Sequence, residues 1–446
     1  MFATEYRTKT IGPEQAARLV KSGDNVEYGL GSCMPWTIDK ALSARKGELS
    51  GVTVRGLMAM RPLAVVENDP DQESFRYMSW HFNAYERGLA ERGLCEYIPM
   101  SYRNQPEIYR KCLTVDVAFV AVAPMDAQGC FSFSLNNTAT RSIIESAKLV
   151  VLEVNERLPR CLGGFDESVH ISEVDYIVEG DALDPIEMPE VPISPTDEAI
   201  AGHIVGSMRD GSVIQLGIGS LPNAVGTMIA ASDLKDLGMH TEMLTDAFLK
   251  IFTSGKLNNK RKNIDRGKGV WSFAFGSREL YDWTHENPLL ASCPISYVNA
   301  VEIIGKNDNF VSINGCLEAD LTGQASSEST PDRHISGTGG QLDFVLGCYL
   351  SNGGRSYLCM HSTFTDKKTG TVRSRVLPEI PGGAIVTVPR SQIHNVATEW
   401  GVANLAGRST WERAELMIGI AHPDFRDELI RSAQKKGIWR RSNKIR

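Results

Sequence analysis

Two stretches of this 446-residue chain align without a gap at an offset of 188 residues: "SGDNVEYGLGSCMPWTIDKALSARKGELSGVTVR", Ser22 to Arg55, and "DGSVIQLGIGSLPNAVGTMIAASDLKDLGMHTEM", Asp210 to Met243. Gly23, Gly29, Gly31, Ser32, Leu49 and Thr53 fall on Gly211, Gly217, Gly219, Ser220, Leu237 and Thr241. Each copy reads as a strand, a Gly-x-Gly-Ser turn, a proline near the start of a helix (Pro35, Pro222), the helix and another short strand. That unit builds parallel α/β sheets, and its duplication predicts two α/β domains of similar topology. The proline- and acid-rich stretch Gly180 to Ile200 suits an extended linker between them. The expected domains are residues 1–185 and 198–446. Toward the end of the chain, Ser409 or Thr410 followed by Glu412 marks the start of a helix pair.

The chain is too long for one compact core, in agreement with two domains. A net charge of −7 leaves no basic field for a nucleic-acid backbone. No apolar run reaches the length of a signal peptide or a membrane span, so the cytoplasm is the expected location and no membrane partner is expected. The nine cysteines stand singly, without a Cys-x-x-Cys pair or a Cys/His cluster at zinc spacing, so reduced thiols and no metal site are expected. The tail "KKGIWRRSNKIR" reads as a solvated basic end.

The turn "LGIGSLPNAV" fails both nucleotide fingerprints, because Pro222 stands where a third glycine belongs and no lysine follows. Gly217 and Gly219 can still expose backbone N–H groups, Ser220 can cap the helix, and the helix N-terminus favours an anion. A plain strand-to-helix turn satisfies the same residues. In the gap-free alignment Glu242 falls on Val54 and His240 on Val52, so a strand that is apolar in one copy bears a carboxylate in the other. Such a group is paired, hydrogen-bonded or functional, and its own residues leave a structural and a catalytic Glu242 equally open. The cluster "HISGTGGQLDF", His334 to Phe344, is either a second run of amide donors or simply a flexible loop. Asn314 and Glu399 are polar residues in apolar or glycine-rich settings.

Taken as a set, "LGIGSLPNAV", "HTEMLTDAF", "ISGTGGQLDFVLG", "TEWGVANLAGRSTWERA" and "IAHPDFRDELI" resemble the acetyl-CoA hydrolase/transferase group of family I CoA-transferases. Within that group the chain is similar to the butyryl-CoA:acetate and 4-hydroxybutyrate CoA-transferases of anaerobic bacteria. The resemblance implies two tandem CoA-transferase-like (NagB/RpiA-type) α/β domains with mainly parallel sheets. It also implies ping-pong transfer of CoA between short-chain acyl-CoA and carboxylic acids through a glutamyl-CoA thioester on Glu242, with an acyl-CoA hydrolase as the alternative. Gly217, Ile218, Gly219, Ser220 and Leu221 match the CoA-binding turn, and Gly339, Gly340, Gln341, Asp343 and Phe344 match the family's Gly-Gly-Gln-x-Asp-Phe motif. Asn314, Gln341 and Glu399 would line or support the site, and His240 and Asp246 would tune Glu242 or merely cap and pair. CoA is then a substrate, no other cofactor is required, and a homo-oligomer is expected. If the first turn faced the acyl group, Cys33, Met34 and Trp36 would restrict its length.

Overall fold

The computed structural model describes residues 2–189 and 191–439; the end of the basic tail lies outside them. The chain forms two compact units, Met1–Pro189 with Val270–Val298, and Glu190–Gly269 with Asn299–Arg446.

In the first unit β1 (Asn25–Leu30), β2 (Val52–Leu57), β3 (Phe75–Ser79), β4 (Glu96–Tyr97), β5 (Val115–Val122), β6 (Ala147–Val154) and β7 (Tyr176–Glu179) form one sheet. Its order is β4-β3-β2-β1-β5-β6-β7, and every pairing is parallel. Helix α1 (Trp36–Ser43) joins β1 to β2. Val26, Tyr28, Val54, Tyr77, Val117 and Phe119 are buried in the core of this sheet, as strands covered on both faces require. Met34 and Trp36 belong to the same core and Cys33 is buried.

Helix α2 (Pro195–Val205) opens the second unit, with Ser194 and Asp197 forming a capping box. The extended linker expected through Ile200 therefore stops at Ser194, because Ser-Pro-x-Asp supplies both an N-cap and a proline-compatible first turn. The sheet contains β8 (Val213–Leu216), β9 (Gly238–Met239), β10 (Phe310–Gly315), β11 (Arg355–Cys359), β12 (Asn395–Thr398) and β13 (Gly401–Asn404) in the order β9-β8-β10-β11-β12-β13. Only the last pairing is antiparallel among these described strands. Helices α3 (Ser220–Ala231), α4 (Asp246–Thr253) and α5 (Gln341–Leu350) accompany it. The terminal pair is α6 (Thr410–Gly419) and α7 (Pro423–Lys435), with Ser409 capping α6 through Glu412.

The duplication is real, but its gap-free alignment slips after the helix. Val26 lies opposite Val54 in the first sheet, whereas Ile214, its equivalent, lies opposite Met239 in the second. The connection from first to second strand is thus three residues shorter in the second copy. Glu242 corresponds to Leu57, the last residue of β2, and His240 to Arg55. The carboxylate therefore sits just past the strand end, where parallel α/β sheets place their ligands.

Candidate active site

The turn Gly217–Leu221 leaves the C-terminal end of β8. Gly219 has φ +113°, open to glycine but strained for other residues. The Gly217 N–H donates to Ile313 O at 3.1 Å, and Ile218 is 48% exposed at the tip. Ser220 is the first residue of α3 and does not cap it. Its hydroxyl donates instead to the carboxylate of Asp197, which also accepts from His361 Nε2 at 2.9 Å. The first turn of α3 thus keeps its N–H groups free of a side-chain cap, with its positive dipole end open to an anion.

The first unit treats the matching turn differently. Glu153, buried at the end of β6, accepts the N–H of Ile38 at 2.9 Å and that of Thr37 at 3.1 Å. The chain's own carboxylate occupies the N-terminus of α1, so of the two turns only that of the second unit is open.

Glu242 lies three residues past the end of β9. His240 N–H donates to Ile214 O at 3.1 Å, and the Thr241 hydroxyl donates to Met243 O at 3.0 Å, which fixes the backbone beside β8. The Glu242 side chain is half-buried. Its Oε2 accepts Asn299 Nδ2 at 2.6 Å, and the Gly340 backbone N–H also donates to the carboxylate. Burial pushes the carboxyl up to about 7 and the Asp343 carboxylate adds to the rise, while the Asn299 and Gly340 donors oppose it. A Cβ at Gly340 would stand 2.1 Å from Glu242 Oε2, so a larger residue there would displace the carboxylate. A carboxyl shifted to about 7, with one oxygen on Asn299, has the chemistry of a general base or a nucleophile.

The other motif residues support this arrangement at different removes. Gln341 Nε2 donates to Gly315 O at 2.8 Å and ties the start of α5, behind the glycine pair, to the end of β10. Asn314 and Gln215 form a reciprocal amide pair, 3.0 Å in each direction, beneath Gly217. Glu399 belongs to a separate contact, accepting from the N–H and hydroxyl of Ser362 after β11. His240 is fully buried with its ring edge-on to Phe310, and Asp246 opens α4, where a negative charge suits the helix N-terminus. Asn299 is the residue that sequence reasoning passed over: "YVNAVEI" bears no motif, and the contact joins positions 57 apart. Among the described residues no group of three or more His, Cys, Asp or Glu is placed to hold a metal ion, and no helix is long and apolar enough to cross a membrane.

The acetyl-CoA hydrolase/transferase N-terminal domain matches residues 2–186, and the C-terminal domain of the same name matches residues 276–433. The chain belongs to the acetyl-CoA hydrolase/transferase family. It is an enzyme of that family. Butyryl-CoA:acetate CoA-transferase of Anaerostipes caccae is 48% identical to it over 99% of this chain and 100% of its own. The 4-hydroxybutyrate coenzyme A transferase of Clostridium kluyveri is 36% identical over 97% and 98%. Among solved structures, RipA from Yersinia pestis superposes with a TM-score of 0.87 at 36% identity, covering 98% of this chain and 99% of its own. More distant relatives include an acetyl-CoA hydrolase of Schizosaccharomyces pombe, 29% identical over 71% of this chain.

Proposed function

We propose that this enzyme is an acyl-CoA:carboxylate CoA-transferase acting on short-chain acyl-CoA, such as butyryl-CoA, and acetate, with Glu242 as its nucleophile. The observation that carries the reading is the grip of Asn299 and Gly340 on a half-buried Glu242 whose carboxyl lies near 7. Two relatives at 48% identity are named for butyryl-CoA with acetate or for butyrate with acetyl-CoA.

In this reading one Glu242 oxygen attacks the thioester carbonyl, the C–S bond breaks, and a mixed anhydride and CoA thiolate result. The thiolate then attacks the glutamyl carbonyl, the anhydride C–O bond breaks, and the first acid leaves as its carboxylate, giving glutamyl-CoA. Acetate reverses both steps. No net proton is transferred, and CoA is a substrate rather than a resident cofactor. When thiolate adds to the glutamyl carbonyl, negative charge would develop on the Oε2 held by Asn299, with the Gly340 amide beside the same carboxyl group, so the ground-state donors would become oxyanion donors. The Gly217–Leu221 turn and the open end of α3 would hold part of CoA, while Gly339, Gln341, Asn314 and Glu399 would support the site.

A Glu242→Gln protein tests the nucleophile: loss of butyryl-CoA/acetate exchange with an unchanged fold is expected, and wild-type exchange would contradict the reading. Acetate-independent release of CoA as the main reaction would instead mark a hydrolase.

A further inference from the structure

Ahead of the glycine pair, Glu328 is buried, a position a carboxylate occupies at a cost unless it is partnered. Its Oε1 accepts from Thr387 Oγ1 at 2.9 Å and its Oε2 from Thr338 Oγ1 at 3.1 Å. The Glu328 carbonyl also accepts the N–H of Ile335 at 2.8 Å and that of Ser336 at 3.2 Å. Thr387 is anchored in turn: its N–H donates to Ala325 O at 2.9 Å, and its hydroxyl accepts the Ser327 N–H at 3.0 Å. One buried side chain thus joins the Thr387 segment, hydrogen-bonded to Ala325 and Ser327, to the loop that ends in Gly339 and Gly340. That loop contains three glycines, Gly337, Gly339 and Gly340, and Gly339 has φ +56°, so its backbone gains little order from its own residues. Thr338 stands two residues before Gly340, whose N–H reaches Glu242.

We propose that Glu328 is a positioning residue for the reaction: through the Thr338 hydroxyl it holds the glycine loop so that the Gly340 amide stays on the Glu242 carboxylate. The proposal rests on Glu242 being the nucleophile. Two other titratable groups bear on it. Asp343 acts on Glu242 directly, and His334, near Glu328, is held below the usual histidine range mainly by burial. Releasing the loop removes the smaller of the two donors that lower the Glu242 carboxyl, Gly340, while leaving Asn299 and Asp343 in place. The nucleophile then ionises at higher pH.

The test is the pH–rate profile of butyryl-CoA/acetate exchange in Thr338→Val, Thr338→Ser and Glu328→Ala, each checked for folding by thermal melting. Thr338→Val and Glu328→Ala are expected to lower kcat about tenfold, to leave the KM for butyryl-CoA within about twofold, and to move the acid limb to higher pH. Thr338→Ser, which keeps the hydroxyl, restores both. If Glu328→Ala does not fold, Thr338→Val decides alone. A folded Thr338→Val protein with an unmoved acid limb and wild-type kcat overturns the proposal. A Glu242→Gln control separates the two readings: inactive Glu242→Gln beside an unmoved Thr338→Val defeats only the positioning role, whereas active Glu242→Gln defeats both.

Discussion

Gly340 and Glu242 approach so closely that a Cβ on the glycine would lie 2.1 Å from Oε2 of the glutamate and 2.3 Å from Nδ2 of Asn299. Both contacts are far inside van der Waals range, so an alanine there must push the carboxylate and its amide partner apart. Gly340→Ala is therefore expected to lower kcat by about a hundredfold, the scale of a misplaced reacting group. Steady-state exchange assays on a protein with an unchanged circular dichroism spectrum check this.

Asn299 donates a 2.6 Å hydrogen bond to Glu242 Oε2, the oxygen on which charge would develop in the proposed mechanism. Asn299→Ala is expected to cost about 100- to 1000-fold in kcat, the usual consequence of losing one oxyanion donor. Asn299→Asp adds a like charge beside Glu242 and is expected to be no better, with its residual activity shifted to higher pH.

Because burial pushes the Glu242 carboxyl up to about 7 and the proposed mechanism needs its carboxylate form, exchange is expected to fall as pH drops through about 7. The same shift has a stability consequence. The folded value lies above the ordinary 4.5 of the unfolded chain, so the residue's relative contribution is full below 4.5 and is lost as pH rises through 7. Glu242→Gln is accordingly expected to be more stable than wild type at pH 8, on the order of 2 kcal/mol. The gain shrinks as pH falls and vanishes below about 4.5. Urea melts at pH 8, 6 and 4 measure it.

In the first unit, Glu153 satisfies the N-terminus of α1 with its own charge. Glu153→Ala leaves the N–H groups of Thr37 and Ile38 buried without their acceptor and is expected to destabilise the protein by about 2–3 kcal/mol. Urea unfolding followed by tryptophan fluorescence reads the change.

The two parallel sheets and the glycine turns were legible because strand-turn-helix-strand units are specified by local residue pattern, and the duplication repeats that pattern. The terminal helices announced themselves through Ser409 and Glu412 in the same way. Glu242 was visible as a carboxylate out of place, although the comparison with Val54 misassigned its twin: nothing in a gap-free reading marks a connection shortened by three residues, and strand register alone identifies Leu57. Ser220 looked like a cap by spacing, but a buried Asp197 competes for its hydroxyl. Asn299 and Glu153 were not legible as site or support residues, since each contacts a partner distant in sequence that no local motif names. That Val270–Val298 packs with the first unit is likewise unmarked in its own residues.

In the proposed mechanism Glu242 forms a covalent bond with CoA. Incubating the enzyme with butyryl-CoA in the absence of any acceptor acid, followed by intact-mass and peptide mass spectrometry, tests it most directly. A CoA adduct is expected on the peptide containing Glu242, discharged by acetate and absent from Glu242→Gln. Full exchange activity with no adduct on that peptide would contradict it.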